Sequence, residues 1–363
     1  MVFPSCDVKV RLAFIDSPFF TDLIISNELV RQNPTYTTHL IRTMEVMLDV
    51  QTLPRGVLMA VGGRNMKGTT NAIEIYDNRT KHWVLMDKKD ETPRAFHGAA
   101  VLNKCMYILG GFDGLKQLRS MQKYDPVSHT WHQAAPMISR RSLVSVAVMG
   151  GFIYAMGGCA WTEFLNTTER YDPETNQWTM IACMKEQRSE ASSATLKGKI
   201  YICGGFNGAQ YLKTAESYDP QTNQWTLMPA MSRARVAVGV VAYAGEICAV
   251  GGYDRDDFLN TLEAYNPETR RWRVLPPMMN PRCNFGIGVL DNELYVVGGF
   301  TGLDTISGAE SFDIRTGVWS TIDDMEVPRS GLSACIVYDC PNVSNCSAPE
   351  AASAAAGDEL TSN

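Results

Sequence analysis

Six arginines keep a single interval: Arg94, Arg141, Arg188, Arg235, Arg282 and Arg329 stand 47 residues apart. A guanidinium is a planar, permanently charged fork that matches a carboxylate with two parallel hydrogen bonds. Converging from six places, these arginines would make a basic ring suited to a partner's carboxylates. A carboxylate keeps almost the same time, at Glu74, Glu169, Glu216, Glu263 and Glu310, with Gln122 interrupting the series. Arginine and glutamate in lockstep could equally pair inside a framework. Contact and framework both remain open. Arg140, Arg233 and Arg255 fall outside the register, which suits a surface role better than a structural one.

Aromatic side chains form the second group. Trp161 alone among the seven tryptophans stands out of register, beside Phe164. An aromatic in a variable loop is a natural binding anchor, or it packs on its own unit. Tyr211, Tyr253, Phe112, Phe206, Phe258 and Phe300 carry the same two readings, with packing favoured for a residue directly after a glycine pair. Catalysis has weaker candidates. Of five histidines, His82, His129 and His132 flank framework tryptophans, and only His97 is near a plausible face. One histidine is no copper site. There is no nucleophile elbow, phosphate loop or cysteine–histidine zinc spacing. The expectation is a binding protein without a cofactor or metal, and not an enzyme.

The formal charge of −6 argues against nucleic-acid binding, which favours clustered basic residues. No apolar run is long enough to cross a bilayer. The opening "MVFPSCDVKVRLAF" breaks its apolar stretch with Asp7, Lys9 and Arg11, unlike a secretory signal. A cytoplasmic protein is expected, with its ten cysteines unpaired. Cys203 and Cys248 lie in apolar runs and read as small buried hydrophobes.

The interval itself specifies the elements. A Trp recurs at Trp83, Trp131, Trp178, Trp225, Trp272 and Trp319, in one step of 48 and four of 47. A Gly-Gly pair recurs from Gly62-Gly63 to Gly298-Gly299, and a Tyr stands seven residues before each Trp until Phe312 replaces it. Between Arg141 and Met184, "SLVSVAVM", "FIYAMGG", "NTTERYDP" and "NQWTMIA" read as four short strands parted by turns, with no room for a helix. One such sheet cannot cover its own apolar faces, whereas six around an axis cover one another. The first copy lacks an opening strand and "PRSGLSACIVYD" follows the last, so residues 331–338 are expected to return beside 57–61 and close the ring. Two loop sets vary over the constant framework, one after Gly-Gly and one after the Met that follows each Trp. Constant scaffold with variable loops is the pattern of a binding surface.

Apolar run, Gly-Gly, Tyr, six residues, Trp: this pattern resembles the kelch repeat and covers about four fifths of the chain. The resemblance implies an all-β fold, a six-bladed kelch β-propeller over 54–338; the polar, Ala/Ser-rich composition of 339–363 reads as a disordered tail. Two amphipathic helices are expected in the first 53 residues, which are similar to the end of a BACK domain; "VKVRLAFIDSPFF" carries that likeness. In the BTB-BACK-kelch family, BTB and BACK hold cullin-3 and the propeller presents a protein for ubiquitination. The chain has no BTB segment, so cullin-3 is expected only where a longer isoform or a partner supplies one. The resemblance also places substrate contacts on the two loop sets. The expected site residues are therefore the six register arginines with Arg140, Trp161, Tyr211, Arg233, Arg255 and Phe258, and the expected partner is a short acidic segment. The alternative is a kelch scaffold that binds actin or another cytoskeletal protein.

Overall fold

The computed structural model describes residues 56–86 and 92–338. The helices expected within 1–53 and the tail expected over 339–363 lie outside them. Six four-stranded antiparallel sheets follow one another. Blade I joins Ser333–Tyr338 to Gly56–Val61, Ile73–Asp77 and His82–Leu85, and blade II runs from Gly98–Leu102 to Thr130–Ala134. Blades III to VI begin at Ser145–Met149, Ser192–Leu196, Gly239–Tyr243 and Gly286–Leu290. These first strands neighbour one another in a closed cycle, with Ser333–Tyr338 standing between Gly286–Leu290 and Gly98–Leu102. No described residue is helical.

The ring is closed by its C-terminal strand. Gly56 pairs with Tyr338 and the ladder continues in register to Val61 and Ser333. The core lies between blades. Leu102, Tyr107 and Met121 of blade II meet Val144, Ile153 and Tyr171 at the blade III side. At the seam, Leu290, Tyr295 and Val297 meet Leu58, Ala60 and Tyr76. Burying an apolar face on a neighbour lets a sheet of this size persist.

The repeated residues make the junctions. Each Trp ring lies against its Tyr or Phe, as at Tyr171–Trp178 with centroids 5.3 Å apart and Phe312–Trp319 at 5.0 Å. The indole N–H of Trp178 donates to the Ala135 carbonyl of the preceding blade's linker at 2.9 Å, and Trp83 does the same to Asp323 across the seam at 2.7 Å. Only Trp225 and Trp319 are fully buried; the other four are half-buried, because their outer edges face solvent. The second glycine of each pair donates its N–H to the carbonyl of the next blade's register arginine at 2.8–2.9 Å. A Cβ at Gly157 would lie 2.2 Å from the Arg188 oxygen, and its φ is +59°. A side chain there would separate two blades.

Candidate protein-recognition face

The register arginines are framework. Arg141, Arg188, Arg235 and Arg329 have no solvent exposure, Arg282 is 1% exposed and Arg94 is 4% exposed. Arg141 donates from Nε and Nη2 to Glu169 Oε1 at 3.0 and 2.8 Å, and from Nη1 to the carbonyls of Gly157 and Thr167. Glu169 in turn accepts the backbone N–H groups of Ile138 and Ser139. Each such clamp ties the linker entering a blade to that blade's own strands. Arg188–Glu216, Arg235–Glu263 and Arg282–Glu310 repeat it, and Arg329–Glu74 repeats it across the seam. In blade II the Gln122 carbonyl accepts from Arg94 at 2.8 Å instead. The expected basic ring at the surface is thus corrected: its guanidiniums are spent inside, and the acidic partner loses the arginines on which that expectation rested.

The two variable loop sets do come together. The residue after each glycine pair bridges the residue after the register arginine of its own blade, as in Ala95–Phe112, Ser142–Cys159, Ser189–Phe206, Val236–Tyr253 and Cys283–Phe300. One end of the ring therefore carries both sets. One position further on, two after each register arginine, lies an arrangement that the sequence did not disclose. Phe96, Leu143, Glu190, Ala237, Asn284 and Gly331 are linked head to tail around the axis: each donates its N–H to the carbonyl of its counterpart one blade back, at 2.7–3.2 Å. All six have φ between +51° and +62°. Only one is glycine, and a non-glycine residue held there costs about 1–3 kcal/mol. The detectable signal is positional: a residue of changing type at a fixed offset of two from each register arginine.

This backbone ring rims a cavity of about 200 Å³ whose wall continues to His97, Val144, Ala191, Val238, Phe285 and Leu332. His97 is buried, and burial pushes its pKa down to about 3, so it is neutral. The wall's only carboxylate is Glu190, half-buried. Burial raises its pKa to about 7, with no charge or hydrogen bond opposing the shift.

Around the mouth the loops lift apolar side chains into solvent. Met66 is 99% exposed, Leu115 92%, Leu303 87% and Trp161 69%. Met66 and Trp161 cap the small hairpins Arg64–Asn65/Gly68–Thr69 and Cys159–Ala160/Glu163–Phe164. Trp161 sits at φ +57°, with its N–H held by Gln117 Oε1 of the neighbouring blade. Sequence reasoning singled out Trp161 but missed the other three, because each is one apolar residue in a polar loop. Inside the tips runs a continuous arc of six rings: Phe164, Phe206, Tyr211, Tyr253, Phe258 and Phe300, with successive centroids 5.3–5.8 Å apart. Tyr211 and Phe258 are each 36% exposed. The two readings of these aromatics thus merge, since the rings pack on one another and still present a surface. Among the out-of-register arginines, Arg233 is committed to Asp254 and Asp257, Arg140 donates to the Gln117 carbonyl at 2.7 Å, and Arg255 is exposed. Among the described residues no group of three or more His, Cys, Asp or Glu could hold a metal ion.

Comparison with known proteins agrees with this geometry. Residues 50–196 match the family described as KLHDC2/KLHL20/DRC7 Kelch-repeats domain, and 187–232, 234–279 and 281–326 each match the Kelch motif. The repeats are kelch repeats. Human Kelch-like protein 35 is 49% identical over 41 residues, 11% of this chain and 7% of that protein. Human Kelch-like protein 6 is 31% identical over 72 residues, 20% of this chain and 11% of its own length. A Caenorhabditis elegans protein named Kelch repeat and BTB domain-containing protein F47D12.7 is 29% identical over 95 residues, 25% of this chain. That match spans only 16% of the relative's length. These relatives support the kelch-like family. The solved structure of YjhT superposes with a TM-score of 0.63 at 14% identity, covering 75% of this chain and 98% of that one, a likeness of fold.

Proposed function

We propose that this kelch propeller is the substrate-recognition module of a cullin-3 RING ubiquitin ligase, holding a protein for ubiquitination. The carrying observation is the exposed apolar crown of Met66, Leu115, Trp161 and Leu303 around a strained channel mouth. Large exposed apolar residues grouped on a rigid scaffold mark an interaction surface. Kelch-like relatives support the protein-binding part. The ligase part rests on family resemblance and on one relative whose name joins kelch repeats to a BTB domain. The wording of "EQRSEASSATLKGKIYICGGFNG" and "NPRCNFGIGVLDNELYVVGGF" adds a likeness to kelch-like protein 10. Trp161, Tyr211, Phe258, Arg140 and Arg255 are the proposed contacts.

Proximity labelling in cells with the full chain, and with Trp161→Ala beside it, tests both parts. Neighbours labelled by the parent chain and lost with Trp161→Ala support recognition through this face. Stabilisation of those neighbours when cullin-3 is depleted supports the ligase role. Actin or its associated proteins among the lost neighbours, unchanged in abundance, would replace the ligase reading with a cytoskeletal scaffold.

A further inference from the structure

Glu190 has no use in the framework. The buried glutamates each face an arginine, Glu74, Glu169, Glu216, Glu263 and Glu310 a register arginine and Glu246 Arg273, whereas Glu190 makes no side-chain hydrogen bond or ion pair among the described residues. It stands on the backbone ring, where its carbonyl accepts from Ala237. Val236 bridges Tyr253, which places the middle of the aromatic arc beside it. The carboxylate acts electrostatically on Tyr253, Cys283 and Cys159, groups contributed by three blades. The cavity wall contains no lysine or arginine. A partner's carboxylate entering here would meet a like charge, whereas a cation would find a counter-charge and an aromatic face.

We propose that the channel mouth receives one basic side chain, an arginine or lysine of the bound protein segment, with its charge on the Glu190 carboxylate and its stem against Tyr253. This rests on the reading that the face binds protein, and it gives that partner a chemistry. The crown of apolar tips would hold the flanking residues. The arrangement is also pH-dependent. Burial holds the Glu190 carboxyl at about 7, so the free site loses its charge as pH falls through neutrality. The other titratable groups nearby do not change state there: Cys159, Tyr253 and Cys283 are pushed upward and His97 is pushed down to about 3.

Random linear peptides displayed on phage, selected separately against the full chain and against Glu190→Gln, provide the test. The parent chain should select peptides with one fixed arginine or lysine, and Glu190→Gln should not. A selected peptide, labelled with fluorescein, should bind Glu190→Gln at least about tenfold more weakly. It should bind the parent chain roughly tenfold more weakly at about pH 6 than at about pH 8. Peptides with a fixed acidic residue, or with no fixed basic one, or equal binding by Glu190→Gln, overturn the proposal. If those same peptides are weakened by Trp161→Ala, the recognition face survives without it. Should no peptide be selected, or should neither substitution affect binding, both readings fall together.

Discussion

Glu190 carries an energetic consequence apart from any partner. Its folded pKa of about 7 lies above the reference value of 4.5, so the folded state holds this proton more tightly than the unfolded chain does. Ionisation therefore begins to cost stability as pH rises past the unfolded value, and the cost is complete above the folded one. Glu190→Gln should leave the melting temperature unchanged near about pH 4 and raise stability by about 2 kcal/mol near pH 8, a figure discounted for partial exposure. Parallel thermal melts of the two proteins across that range give the difference. Trp161 should show the opposite separation. It is mostly exposed, so Trp161→Ala should weaken partner binding by about 1–3 kcal/mol while moving the melting temperature little. Calorimetric titration and a thermal melt on the same sample separate the two effects. Of the apolar tips only Trp161 was legible in the sequence, and the place of Glu190 on the channel ring was not. Residues that vary from copy to copy leave no pattern in their types, and the positive φ that unites the channel ring is not written in residues such as Phe96 and Leu143.

At the scale of the blade, the repeat was fully legible in its period but not in its pairing. Arg and Glu recurring together admitted two readings because spacing alone does not say whether a charge points inward. Burial decides it. A buried guanidinium without its carboxylate costs several kcal/mol, which explains why the pair recurs as a unit. Gln122 indicates what the clamp tolerates, since its carbonyl still accepts from Arg94. Glu169→Gln should therefore be much milder than Glu169→Ala, which strands Arg141 and frees the N–H groups of Ile138 and Ser139. The alanine variant should lose about 3–5 kcal/mol in urea unfolding. A similar grading applies to the tryptophans. Trp225 is 3% exposed and Trp178 half-buried, so Trp225→Ala should be the more damaging, by as much as about 3–5 kcal/mol. Equal losses at the two positions would mean that the indole hydrogen bond to the neighbouring blade, which both make, outweighs buried area.

For the whole molecule, closure was legible because one strand was missing at the start and one was left over at the end. Three separate bonds of the closure meet at the seam between blades VI and I. Ser333–Tyr338 completes the blade I ladder, Arg329 clamps Glu74, and Gly331 completes the backbone ring between Asn284 and Phe96. The last two lie outside the strand, so the seam is held from the linker as well as the sheet. Ending the chain after Leu332 would keep both and remove only the strand. The exposed edge of Gly56–Val61, apolar and buried in the parent, would then be free to pair with another chain. Such a truncation should remain folded at low concentration, with a melting temperature well below that of the parent. It should also form concentration-dependent dimers or aggregates by light scattering. Ending the chain after Val327 removes the arginine clamp and the ring bond too. That variant should lose the single cooperative transition, because the junction of blades I and VI would then lack its arginine clamp, its ring bond and the inner strand of blade I while the other junctions persist intact. If the two truncations melt alike, the strand alone closes the propeller, and the hydrogen-bonded ring around its axis contributes nothing to holding the blades together.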